Sequence, residues 1–257
     1  MTASRDEGVP GHRFLRLVEV METLRRECPW DREQTHESLA PYLLQEAYET
    51  LETIEERDFA QLHEELGDVL LQVVFHSVVA SERAEDDPAR FSVDDVADAI
   101  IDKMTRRHPH VFGGVDAADA DEVRANWEEI KAAERAEKAR ANGEDGRTSV
   151  LDGVPFAQPA MLLAQELQKR AVRNGVPADL VGDDGDEGGG LFAAVASERA
   201  RGRDAETDLR AAARRFDARV RAVEEAAHAD GRDPRDLSVE EWRSYWSRWE
   251  AGTSSMD

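Results

Sequence analysis

The chain has 257 residues, enough for one large domain or two of ordinary size, and 40% of them are apolar, enough to bury a core. Asp plus Glu number 56 against 33 Lys plus Arg, a formal net charge of −23, which excludes non-specific attachment to nucleic acid or to an anionic membrane, since both need a basic face. The single cysteine, Cys28, excludes an intramolecular disulfide; with no 18-residue apolar run and a polar start over residues 1–12, the expectation is a soluble cytoplasmic protein.

Apolar spacing predicts an amphipathic helix over residues 14–26, with Leu15, Val18, Met21 and Leu24 or its neighbours on one face. Cys28-Pro29-Trp30-Asp31 breaks it, and Asp31 or Thr35 can cap the next helix. That helix is predicted over residues 38–57, with Leu43, Leu44, Ala47, Leu51 and Ile54 as its stripe. Residues 58–61 turn the chain. The following helix, residues 62–82, is apolar nearly all round and is expected to be buried. Gly67 inside it costs about 1 kcal/mol relative to Ala, so a close helix approach is expected there. Ser92 and Asp95 suit a capping box for a helix that ends at Lys103-Met104-Thr105-Arg106-Arg107-His108 before Pro109. A charge-rich helix over 121–141 carries Trp127, Ile130 and Lys131. Residues 142–149 are polar and glycine-bearing, and read as a linker at a domain boundary. Beyond it, helices are predicted over 159–173 (stopped by Asn174-Gly175), 191–201, 204–229 and 238–250, around an acidic, glycine-rich loop at 176–190. Nothing reads as a strand, so the fold class is all-α.

Two acidic pairs stand out. Glu46 and Glu49 are spaced i, i+3, as are Glu65 and Asp68, so each pair puts two carboxylates on one helical face. A short turn between the helices makes an antiparallel hairpin that brings the pairs together. Four carboxylates repel one another unless a cation sits between them. Oxygen-only ligands suit a hard ion such as Mg²⁺, and Mg²⁺ suggests a phosphate-bearing substrate. Lys103, Arg106 and Arg107 gather within about 100° of one helix face. They can serve as a phosphate clamp or simply answer nearby acids. Trp30 and Trp127 can stack a nucleobase or fill the core. His108 and His110 read as capping or packing residues, because no further zinc-ligand spacing accompanies them. Cys28 has no base partner that would make it a nucleophile.

The two halves echo each other. E-L-G-D-V-L-L-Q-V-V-F at residues 65–75 is matched by D-E-G-G-G-L-F-A-A-V-A at 186–196, and each is followed by a basic helix and a Trp-bearing helix. This register puts Asp186 opposite Glu65 and Gly189 opposite Asp68. No second-half helix matches the one with Glu46 and Glu49. Any metal site therefore belongs to the first half.

The run C-P-W-D-x-x-Q-T at 28–35, QEAYE at 45–49, E-E-L-G-D at 64–68, R-R-H-P-H-V-F at 106–112 and W-x-x-I-K at 127–131 together resemble the MazG family of nucleoside triphosphate pyrophosphohydrolases. The resemblance is close over residues 13–140 and looser beyond. It implies an all-α MazG-like helical bundle in two tandem repeats, the second degenerate: a catalytic domain at 13–141, a linker at 142–158 and a degenerate domain at 159–250. It implies Mg²⁺-dependent hydrolysis of NTPs or dNTPs to NMP and pyrophosphate, with Mn²⁺ as a substitute ion, in a homodimer that engages no nucleic acid and no membrane. Glu46, Glu49, Glu65 and Asp68 would be the catalytic metal ligands. Lys103, Arg106 and Arg107 would hold the triphosphate, and Trp127, Lys131 and Trp30 would complete the pocket. Gln45 departs from the family motif, which has a glutamate there. The eroded second half leaves a second reading, a non-catalytic nucleotide-sensing or partner-binding protein on an enzyme scaffold.

Overall fold

The computed structural model describes residues 11–114, 119–141, 149–182 and 185–253. The chain divides into two compact units, residues 1–135 and 136–257. Among the described residues there is no strand. The stretch 142–148, expected as an exposed linker, lies outside the described residues.

The first unit opens with α1 (His12–Glu27) and the short α2 (Pro29–Glu33). Pro29 ends α1 but starts α2 at once, because proline is pre-set for the first helical position. Thr35 caps α3 (His36–Glu56) in a reciprocal box with Ser38. Arg57, left-handed at φ 59°, ends α3, and α4 (Leu62–Ser81) returns antiparallel to it. Then come α5 (Val93–Arg107), capped by Ser92 and Asp95 as expected, the one-turn α6 (Pro109–Phe112), and α7 (Ala120–Ala141), which runs across the unit boundary.

The core of this unit is Met21 of α1, Leu39 of α3, and Val74, Phe75 and Val78 of α4, with Phe14, Leu17, Val18 and Leu71 packed around it. The buried face of α1 is thus Phe14, Leu17, Val18 and Met21; Val18 and Met21 of the expected stripe lie on it, whereas Leu15 (59% exposed) and Leu24 point away. Arg25 extends the buried face by one turn. Its guanidinium is forked onto Glu82 at 2.8 and 2.5 Å, and its third nitrogen donates to the carbonyls of Asp31 and Gln34. One side chain so fastens α1 to α2 and to the end of α4.

Helix α4 is not buried all round. Its second half is, through Gln72, Val74, Phe75, Ser77, Val78 and Ala80. Leu66, Leu70 and Val73 are exposed, as are Leu43, Leu44 and Ile54 of α3. The expected close approach at Gly67 is absent too: a Cβ there would meet nothing within 4 Å.

The second unit contains α8 (Ala160–Arg173), α9 (Gly189–Ala200), α10 (Ala205–Ala229) and α11 (Val239–Thr253), with 3-10 turns at Ala178–Val181 and Pro234–Asp236. Gly175, at φ 94°, follows α8 as the left-handed stop. Fully buried Gln168 ties α8 to α9 by donating to the Phe192 carbonyl. Val223 and Ala227 of α10 meet Tyr245, Trp242, Trp246 and Trp249 of α11 in a separate core. Arg219 lies over both Trp246 and Trp249, 4.7 and 4.4 Å from the ring centres.

Candidate metal and phosphate site

Helices α3 and α4 pair along much of their length, which places Glu46 and Glu49 against Glu65. Each of these three side chains offers a carboxylate oxygen, and the oxygens lie within 4.8 Å of one another. Opposite oxygens around a cation with bonds of about 2.1 Å would be about 4.2 Å apart. Three oxygens already within 4.8 Å of one another need only small side-chain rotations to close on one such ion. Carboxylates alone, with no sulfur or imidazole, select a hard divalent cation. The residues present fit such an ion.

The electrostatics point the same way. Burial pushes the Glu46 carboxyl above its usual range, and the charges of Asp68, Glu49 and Glu65 push it further up. A carboxyl that holds its proton against three like neighbours marks a spot where positive charge is favourable. Asp68 is exposed and lies outside the tight trio, although it acts on Glu46. Gln45 donates to Glu49 at 3.0 Å, and Gln61 donates to Glu65 at 3.1 Å.

The basic residues are divided. Lys103 is exposed at the end of α5. Arg106 and Arg107 both bind Glu134 of α7, at 2.7 and 2.6 Å, so here they answer an acid, the plainer of their two sequence readings. The Arg107 hydrogen bonds, seconded by Arg106, pull the Glu134 carboxyl down to about 2. Glu134 escaped sequence reasoning because it lies 27 residues beyond Arg107 and in no motif. Its spacing from Trp127 and Lys131, two turns and one turn on along α7, was the available signal. Arg107 also lies over the Trp127 ring, 5.5 Å from its centre, and His108 meets that ring edge-on at 4.9 Å. His108 caps the end of α5 by bonding the Met104 carbonyl, the capping role expected of it. Lys131 is half-buried on the same helix. Trp30 is half exposed and meets Tyr42 edge-on at 5.9 Å; Tyr42 stands one turn before Glu46 on α3.

A model of the MazG nucleotide pyrophosphohydrolase domain matches residues 34–112, which span α3, α4 and α5. The chain is 40% identical to a nucleoside triphosphate pyrophosphohydrolase of Mycolicibacterium smegmatis, over 98% of this chain and 75% of that protein. It is 37% identical to the Escherichia coli K12 protein of the same name, over 91% of this chain and 95% of that one. A Thermotoga maritima protein named nucleoside triphosphate pyrophosphohydrolase/pyrophosphatase MazG is 35% identical, over 93% and 96%. With the acidic hairpin inside the matched segment and identity sustained over 91% or more of this chain and three quarters or more of each such relative, the chain belongs to the MazG family.

Proposed function

We propose that the chain hydrolyses nucleoside triphosphates, ribo- or deoxyribo-, to nucleoside monophosphate and pyrophosphate, in a Mg²⁺-dependent reaction at the α3–α4 hairpin. The observation that carries this reading is the meeting of Glu46, Glu49 and Glu65 within 4.8 Å. Family membership supports the substrate class. The three glutamates, with Asp68 at the edge, would hold the cation. Bound there, Mg²⁺ or Mn²⁺ supplies positive charge to the phosphate oxygens as negative charge develops on them.

The chain's own groups do the rest. A carboxylate of the hairpin takes the proton of a water that attacks at the α–β phosphoanhydride. Lys103 would meet a terminal phosphate as a point charge. Arg106 and Arg107 bind phosphate by exchanging Glu134 for it, a like-for-like swap of oxyanions on a planar fork. Trp127, held by Arg107 and His108, and Trp30 beside Tyr42 offer faces for the base, with Lys131 at the pocket's edge.

The functional unit is proposed to be a homodimer in the cytoplasm. Supporting it are the exposed Leu43, Leu44, Leu66, Leu70 and Val73 on one hairpin and the open space at Gly67, where a second copy can approach. The lone cysteine suits a reducing compartment, and no described helix is long and apolar enough to cross a membrane.

The test incubates purified protein with NTPs and dNTPs, with and without Mg²⁺, beside Asp68→Ala. Mg²⁺-dependent NMP and pyrophosphate, lost in Asp68→Ala, is the expected result. Nucleotide binding without turnover would favour the sensor reading, which the glycine-substituted second half motivates. NDP and phosphate would mean that a different bond is cut.

A further inference from the structure

Glu49 and Glu65 meet from opposite helices, and each has a glutamine one turn before it on its own helix. The Gln45 amide donates to Oε1 of Glu49 at 3.0 Å. The Gln61 amide donates to Oε1 of Glu65 at 3.1 Å and, forked, to Glu64 at 3.0 Å. Gln61 is itself anchored, since its backbone N–H binds the Asp58 carboxylate at 3.2 Å. A glutamate's terminal torsion is broad and costs little to turn. A donor fixed on one oxygen sets the plane of the group and leaves the second oxygen for a cation. An amide does this without adding charge. A glutamate at position 45, as the resembled motif has, would be acceptor-only when ionised and would add another negative charge beside Glu46 and Glu49.

We infer that Gln45 and Gln61 are positioning residues of the cation site: a pair of amide clips, one on each helix, that pre-orient Glu49 and Glu65 and hold down the charge of the cage. The inference rests on the hairpin being a divalent-cation site. Outer partners of this kind commonly govern metal affinity without touching the metal. A purely structural role is distinct, because glutamine–glutamate pairs at i, i+4 also stabilise helices weakly. That role would move melting temperature and leave metal affinity alone.

The experiment measures Mn²⁺ binding to the full chain by the loss of the free-ion electron paramagnetic resonance signal, alongside thermal melting without metal. The variants are Gln45→Met, Gln61→Met, the double variant and Gln45→Glu. Each methionine variant is expected to weaken Mn²⁺ binding by about threefold to tenfold, at the low end of outer-partner effects because both amides are exposed. The double variant should lose more, with metal-free melting little changed. Gln45→Glu should melt lower without metal and gain more from Mn²⁺ than the parent. Parent-like Mn²⁺ affinity in both methionine variants overturns the clips, whatever happens to melting. A parent chain that binds no Mn²⁺ overturns the cation site as well, so the two failures read differently.

Discussion

Arg25 is a cation in the core of the first unit, 9% exposed, and its burial is offset by four hydrogen bonds. The hydrogen bond to Glu82 raises its basicity against the opposing effect of burial, and the charges of Glu82 and Asp31 raise it further, so it stays charged. Removing the guanidinium would leave Glu82 and two carbonyls unanswered. We expect Arg25→Met to cost about 2–3 kcal/mol in urea unfolding, below the usual loss for a broken buried pair because Glu82 keeps contact with water. A loss near zero would mean that the helix ends are held by packing alone. Glu46 behaves in the opposite sense. Its folded-state pKa is raised, so its contribution is best at acid pH and worsens as pH climbs past its ordinary value. Glu46→Gln should therefore raise the melting temperature of metal-free protein at pH 7 and abolish turnover; a fall in melting would make Glu46 a structural residue. These two residues also mark how far sequence reasoning reaches. Glu46 was legible because its meaning lies in a neighbour three residues on. Arg25 was not, because Glu82 is 57 residues away and no local pattern announces the pair.

Among the helices, the course of the α3–α4 hairpin was legible, since a cap at Thr35, a short turn and two acidic pairs are all local signals, but its buried faces were not: Leu43, Leu44 and Ile54 of the expected stripe are exposed. The buried face of α1 was half legible: Val18 and Met21 lie on it, but Phe14 and Leu17 take the place of Leu15, because four apolar side chains crowd its first turns and only the partner helix decides which go inward. The short α2 and α6 were missed because Pro29 and Pro109 read as breaks, when each also opens a helix. The junction of α5 with α7 has a definite acid sensitivity. Glu134 has an ordinary pKa near 4.5 and a folded value of about 2. Its stabilising effect is thus full above pH 4.5 and is lost as pH falls from there toward 2. Acid titration of the parent should release α7 across that window, seen as a change in Trp127 fluorescence. Glu134→Gln should show the released signal already at neutral pH. A transition common to both proteins would assign the change to other carboxylates.

At the scale of the whole molecule, each unit has its own core, one built on Met21, Leu39 and Phe75 and one on Val223, Ala227 and Tyr245. The proposed dimer is tested here: Leu70→Glu, on the exposed apolar side of α4, should halve the mass measured by light scattering and keep the helical content. A monomeric parent would remove the need for a partner copy at Gly67. The polar, glycine-bearing stretch at 142–149 pointed to two parts, but the chain divides earlier, between residues 135 and 136 inside α7, where nothing local in the sequence marks a break. The burial pattern of α4 was not legible either, because an all-round apolar helix reads the same whether its outer face meets its own chain or another. The hairpin carries a last consequence. All four acidic residues of the proposed site fall between positions 46 and 68, on two consecutive helices joined by a tight turn. Chemistry packed into so short a stretch is inherited or discarded in one event. A single deletion through residues 46–68 would strip all four carboxylates at once and leave Val223, Ala227 and Tyr245, the core of the second unit, in the chain.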